Sequence, residues 1–385
     1  MASVVLRNIQ TIVSGNIQNP IIEGDAIQVE DGLIKTVGRF EDMKIDPGLK
    51  VIDCDQMTVT PGLIDSHCHV VLGDYAPRQK QIGFMDSEVH GGVTTFISAG
   101  EVHLAGRPKD PAGTKALAIL AAKSFNNFRP GGAKVIGGAL ILEKGLTRED
   151  FEEMAREGVR VVGEIGLGSV KEPADAAPMV KWAKELGMTV MMHTGGTSIP
   201  GSSTVTAEQV MQTDPHIASH INGGPTAVAL DEVDRLVNET NLVLEIVHCG
   251  NPKMAVDAAN LCIEAGALDR IIIGNDAPSG TGVIPLGILR VINHLASLTF
   301  IDPEEAICMA TGNTARLYKL NRGIIATGME ADLVVMDAPM GSVGDDALSA
   351  IEAGDVPGIA MVLVDGAVVV GKSRNTPPTK RNPKI

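Results

Sequence analysis

The sequence predicts an α/β protein: a (β/α)8 barrel of the TIM type with a small β-sandwich domain built from both chain ends. Three observations carry this. Between residues 61 and 321, eight short apolar runs alternate with segments of helical period. Residues 1–60 and 322–385 are instead rich in β-branched residues and turn signals. The chain has 385 residues, 44% hydrophobic and 21% charged, enough for one large core and a smaller one.

At the N-terminal end, SVVLRNIQTIVSG, DAIQVEDGLIKTVGRF and LKVIDCDQMTVT read as strands, and Glu30-Asp31-Gly32 reads as a hairpin turn. The eight apolar runs fall at 63–70, 94–100, 133–140, 159–166, 188–194, 215–221, 242–247 and 270–276. Between them, REDFEEMAREG, PMVKWAKELG, TAVALDEVDRLVNET and MAVDAANLCIEAG place apolar residues three and four apart, and several end in Gly, a usual helix stop. Eight strands with crossovers fit a barrel. A doubly wound open sheet is the rival, but it has no preference for eight. After residue 322, ADLVVMD and GIAMVLVDGAVVVGK return to strand texture, with a second turn signal at Val364-Asp365-Gly366. The last stretch, KSRNTPPTKRNPKI, carries five basic residues and three prolines, and reads as a solvated tail or an arm on a neighbouring subunit.

Composition excludes several functions. Lys and Arg number 32 against 47 Asp and Glu, a formal charge of −15, so a sequence-independent nucleic-acid surface is not expected. Aromatic residues are 3%, too few for a base-stacking platform. No run approaches the ~18 apolar residues of a membrane span, and the N-terminus lacks the pattern of a secretion signal. Five scattered cysteines without a CxxC pair suit a reducing compartment, the cytoplasm. No phosphate-cradling GxxxxGKS loop occurs.

In a barrel, chemistry sits at the C-terminal ends of the strands. There the runs present His67 and His69, Glu164, His193, His220 and Asp276. In a strand, His67 and His69 point the same way and Cys68 the other. Glu164 interrupts the apolar VRVVGEIG, where an isolated carboxylate is destabilising unless it meets a cation, either an Arg or Lys or a metal ion. His216, at the opposite strand end from His220, reads as structural. Each residue alone has a structural explanation, but six ligand types at one mouth do not arise easily by accident. Six nitrogen and oxygen ligands suffice for two divalent ions ~3.5–4 Å apart, and mixed imidazole and carboxylate ligation suits zinc, iron or manganese. Asp276 is then placed to take a proton from an attacking water and pass it to a leaving nitrogen.

These residues lie in TPGLIDSHCH and at four later strand ends, and are followed by EEAICMATGNTARLYKL and GMEADLVVMD. In that order the chain resembles the amidohydrolase superfamily along nearly its whole length. The resemblance implies a distorted barrel, a small β-sandwich and hydrolysis at a mono- or binuclear metal site. Hydantoinase-like and urease-like members carry a bridging Lys where this chain has Glu164, which makes a dihydropyrimidinase or dihydroorotase less fitting. VVGEIGLG and HTGGTSIPGSSTVTAEQV resemble the enamidase branch. That branch implies 6-oxo-1,4,5,6-tetrahydronicotinate as substrate and 2-formylglutarate and ammonia as products, within nicotinate degradation. On this resemblance, His67 and His69 bind the more buried ion with Asp276 nearby, His193 and His220 bind the second, and Glu164 bridges them. Bridging hydroxide attacks the amide carbon and Asp276 shuttles the proton. Thr194, Gly195, Gly196, Thr197 and Ser198 follow a ligand directly and are candidates for lining the substrate pocket, as is His248. Glu101 also sits just past a strand, with a structural role at least as fitting. Arg78, Lys80 and Arg107 are candidate cations for an anionic substrate. A homo-oligomer, a tetramer in particular, is expected. The alternatives are a deaminase or an N-acetyl-sugar deacetylase of the same superfamily, or a metal-free scaffold, which the filled ligand positions disfavour.

Overall fold

A computed structural model of the chain describes residues 2–70, 83–102, 106–197, 203–278 and 286–385. All eight apolar runs contain a strand. Three pair in parallel as β6 (Leu63–Cys68), β7 (Val93–Ser98) and β8 (Lys134–Ile136). Five more pair in parallel as β9 (Val161–Ile165), β10 (Thr189–Met192), β11 (Ile217–Ala218), β12 (Val243–Val247) and β13 (Ile271–Gly274). The two blocks touch at both seams. Leu140 forms a parallel bridge with Val162, and Cys68 forms one with Ala277.

The strands are buried on both faces, as parallel strands covered by helices must be. The helices between them start on local signals. Asp110 accepts from Gly113 N ahead of helix Pro111–Asn127, and Asn251 accepts from Met254 N ahead of Pro252–Glu264, each with Pro in the first turn. Their apolar stripes form the largest core cluster with the outer faces of the strands. The inward faces form a second, of small and branched residues such as Ile64, Ile97, Ala99, Ala139, Val161 and Ile272. Gly163 is required there, since a Cβ would lie 2.3 Å from the Ala99 carbonyl oxygen.

β11 is shorter than its sequence run. His220 adopts φ 36°, a left-handed conformation, and the chain turns out of the strand.

The two chain ends join in one mixed sheet, in the order β16-β15-β14-β5-β1-β3-β4. Its strands are β1 (Val4–Val13), β3 (Ala26–Glu30), β4 (Leu33–Gly38), β5 (Lys50–Pro61), β14 (Leu333–Asp337), β15 (Gly358–Val364) and β16 (Ala367–Val370), and β2 (Ile21–Ile22) pairs with β1 alone. Both hairpin signals make turns with two successive left-handed residues: Asp31 at φ 50° with Gly32 at 81°, and Asp365 at φ 49° with Gly366 at 72°. Lys134 of β8 ties this sheet to the parallel strands. Its Nζ lies 2.6 Å from Glu330, 2.9 Å from Asp332 and 2.7 Å from Asp365.

The basic C-terminal stretch is not a free tail or an arm. Lys384 and Asp53 exchange backbone hydrogen bonds, Lys380 N donates to the Ala338 carbonyl, and Arg381 pairs with buried Asp337. Arg381 and Lys384 find acids on the chain's own sheet, Asp337 and Asp55, and Arg374 finds Asp86.

Candidate metal centre

The parity of β6 turns His67 and His69 inward, where they are 0% and 1% exposed. Cys68 turns outward, packing in the helix-facing core with Sγ against the Ile97 carbonyl. Each imidazole is oriented through Nδ1: His67 on Glu245 Oε2 at 2.7 Å, His69 on the Gly100 carbonyl at 3.0 Å. Their Nε2 atoms converge. His69 Nε2 lies 3.1 Å from Asp276 Oδ1 and 3.4 Å from Glu164 Oε2. His67 Nε2 lies 3.7 Å and 3.6 Å from the same two atoms.

Glu164, from β9, divides its oxygens between two histidine pairs. Oε2 faces His67 and His69, while Oε1 lies 2.7 Å from His220 Nε2 and 3.7 Å from His193 Nδ1. The latter two nitrogens are 3.1 Å apart. Two groups of ligand atoms result, each within 4.8 Å: His67, His69, Glu164 and Asp276, and Glu164, His193 and His220. All six ligand residues predicted from the sequence are thus brought together.

The set fits divalent ions. His67 Nε2 is buried with no hydrogen-bond partner, although two carboxylates stand within 4 Å of it. The carboxylates call for positive charge. Burial opposes charge on His67, but Glu245 and Glu164 outweigh it and hold the imidazole well above its usual pKa. Burial likewise opposes ionisation of Glu164, yet His67, His193 and His220 hold its carboxyl well below the ordinary range. Asp276 is held below its ordinary value against burial, by the bond from His69 and the nearness of His67. A third acidic group, Glu330, Asp332 and Asp365, is instead filled by the Lys134 ammonium.

Local backbone supports the candidate ligands. His220 and Asp276 are both left-handed, at φ 36° and 54°, a conformation that persists only where the surroundings enforce it. For His220, the Thr194 hydroxyl donates to the Ser219 carbonyl at 2.7 Å. For Asp276, the preceding Asn275 is clamped. Its backbone N and its Nδ2 each donate to Asp65 at 2.9 Å, and Nδ2 also approaches Glu88 Oε2 at 3.3 Å. Glu88 in turn accepts from Leu286 N. Burial pushes Asp65 up to about 7, and burial with Asp65 beside it pushes Glu88 up to about 8.

The remaining candidates are placed less directly. Gly195 pairs with Val205 in an antiparallel bridge, Gly196 follows it, and Thr197 Oγ1 lies 3.2 Å from Thr204 Oγ1. His248 follows β12, and burial with Arg290 and His294 nearby lowers it to about 4, so the ring is neutral. Arg107 is committed to buried Glu143 at 2.8 Å. Glu101 is buried. Arg78, Lys80 and Ser198 lie outside the described residues. His216 accepts from Val190 N at 3.1 Å, a structural role as expected. Sequence reasoning missed Glu245, Glu88 and Asn275. Glu245 carried the signal that exposed Glu164, an acid inside an apolar run, LVLEIV.

Known proteins bear on this arrangement. Residues 58–369 match the profile described as the amidohydrolase family. A relative named enamidase, from Eubacterium barkeri, is 60% identical over 385 residues, 100% of both chains. Imidazolonepropionase from Bacillus mycoides (strain KBAB4) is 24% identical over 371 residues, 83% of this chain and 84% of that one. Among solved structures, the crystal structure of enamidase superposes with a TM-score of 0.96 at 60% identity over 100% of both chains.

Proposed function

The chain belongs to the amidohydrolase family, and from that premise we propose that it opens a cyclic amide by hydrolysis at a centre for two divalent ions, zinc or iron, with manganese also suited to the ligands. The observation that carries this reading is Glu164, whose two oxygens serve two separate histidine pairs. His67, His69 and Asp276 would hold one ion, His193 and His220 the other, and Glu164 both. When bound, such ions supply a water made nucleophilic at neutral pH and polarise the amide carbonyl.

The chain's own groups do the rest. Asp276 is 14% exposed in its side chain where Glu164 is 2%, so it faces the mouth. It takes the proton of the attacking water at a carboxylate oxygen and delivers it to the amide nitrogen. Thr194 holds the His220 turn. Gly195, Gly196, Thr197 and neutral His248 line the approach.

The substrate is 6-oxo-1,4,5,6-tetrahydronicotinate, a substrate of the kind the 60% identical enamidase suggests. One water opens the amide. The enamine released becomes an imine, and a second water converts it to the aldehyde of 2-formylglutarate with loss of ammonia. This is a step of nicotinate degradation. The setting is the cytoplasm, and the working form a homo-oligomer, a tetramer. The architecture proposed is a closed (β/α)8 barrel over 61–321, supported by the parallel bridges at both seams. Residues 1–60 and 322–385 form the β-sandwich unit, supported by their separate apolar cluster.

The test is a panel of the cyclic enamide, other cyclic amides, adenine and N-acetyl sugars, assayed for ammonia and ring opening after loading with zinc, iron or manganese. Turnover of the cyclic enamide above all others is expected. Preference for adenine or an N-acetyl sugar overturns the reading in favour of a deaminase or a deacetylase.

A further inference from the structure

The two histidine pairs differ in what stands behind them. His67 has a carboxylate, Glu245, at its Nδ1, and His69 has the Gly100 carbonyl. Both rings are therefore fixed with the proton on Nδ1, leaving Nε2 to face Glu164 and Asp276. Behind His193 Nε2 and His220 Nδ1 there is no protein acceptor among the described residues. Glu245 is itself fixed. It is 0% exposed on β12, and its Oε1 accepts from the Ser66 hydroxyl at 2.6 Å. A carboxylate buried this deeply costs several kcal/mol unless it meets positive charge. Its side-chain hydrogen bonds among the described residues go only to His67 and Ser66, so the charge it answers lies at or beyond His67.

We propose that Glu245 is a positioning residue for His67, and that it makes the site of His67, His69, Glu164 and Asp276 the tighter of the two. The proposal rests on the metal-centre reading above. An imidazole backed by an ionised carboxylate is a stronger and better-oriented donor than one backed by a carbonyl or by no protein group. The His193 and His220 pair lacks that support, and its ion is the first to leave.

The test compares wild type, Glu245→Gln and Ser66→Ala, each loaded with zinc alone, exposed to graded chelator and analysed for metals per chain. Wild type is expected to release zinc in two separate steps. Gln at 245 keeps the bond to His67 through its amide oxygen but not the charge. It is expected to move the later step to roughly 10–100-fold lower chelator, with the earlier step unmoved. Ser66→Ala leaves the charge and loosens its anchor, and is expected to move the same step by less. If the later step stays within twofold of wild type in both variants, or both steps shift alike, the role of Glu245 is overturned while the metal centre stands. A wild-type chain that takes up no zinc overturns the metal-centre reading itself.

Discussion

Glu164 Oε1 stands 2.7 Å from His220 Nε2, so the fourth and sixth parallel strands meet through one carboxylate oxygen while the other oxygen remains for the first strand. A Gln there offers one carbonyl oxygen and one NH2, and cannot serve both pairs. Glu164→Gln is expected to lower the metal content from about two ions per chain toward one. Elemental analysis checks it, and a variant that still holds two ions as wild type does would remove Glu164 as the bridge.

Asp276→Asn tests the proton route. The amide keeps the shape and an oxygen beside His69, so much of the metal should stay, but it cannot accept the proton. Turnover is expected to fall roughly 10²–10⁴-fold, the range for a lost general base. Steady-state kinetics on a variant of measured metal content reads this, and wild-type turnover would exclude Asp276 as the shuttle.

Lys134→Met takes the central cation from Glu330, Asp332 and Asp365 and leaves them only Arg322 and Arg129 at the edge of the cluster. The expected loss is about 3 kcal/mol, the lower end for breaking a buried pair, because Glu330 and Asp365 still reach water and keep Arg322 and Arg129. Denaturant unfolding of wild type and variant measures it. A change under about 0.5 kcal/mol, ordinary for a surface substitution, would show that the ammonium is not needed.

Glu88 makes stability depend on pH in a definite direction. Its carboxyl is raised from 4.5 to about 8, so the folded chain binds this proton more tightly than the unfolded one. That contribution is fully present below pH 4.5 and is lost as pH rises through about 8. Glu88→Gln removes it, so the variant should gain on wild type between those limits, by at most about 1.4 kcal/mol per pH unit. Unfolding free energies of the metal-free proteins across that range decide it. Parallel curves would show that Glu88 does not bind the proton in the fold.

Gly287→Ala would put a Cβ 1.6 Å from Asn275 Oδ1 and 3.1 Å from His248 Cβ. An expected cost of about 1–3 kcal/mol should come with reduced turnover, since Asn275 fixes the backbone before Asp276. A variant equal to wild type in melting temperature and turnover would show that Asn275 can yield without moving Asp276.

Much of this was legible in residue order. The strand runs carried their own periodicity, and the parity of His67-Cys68-His69 fixed which side chains share a face. Asp31-Gly32 and Asp365-Gly366 announced their turns through residues that tolerate left-handed backbone. What the sequence concealed depends on tertiary placement. Asn275 and Glu88 are ordinary until the fold sets them against Asp65. The C-terminal cations look unpaired until Asp55 and Asp337 come beside Lys384 and Arg381, more than 300 positions earlier for Asp55. Glu245 was readable by the same rule as Glu164, but its oxygen reaches the centre only through His67.

The pairing of β5 with β14 has a consequence during synthesis. β5 ends at Pro61 and its antiparallel neighbour begins at Leu333, so one edge of β5 stays bare while the intervening chain is translated. At about 5–20 residues per second that exposure lasts roughly tens of seconds. An apolar strand edge left open so long on the ribosome invites pairing with a neighbouring nascent chain, and truncated products ending before β14 should aggregate rather than accumulate as soluble fragments.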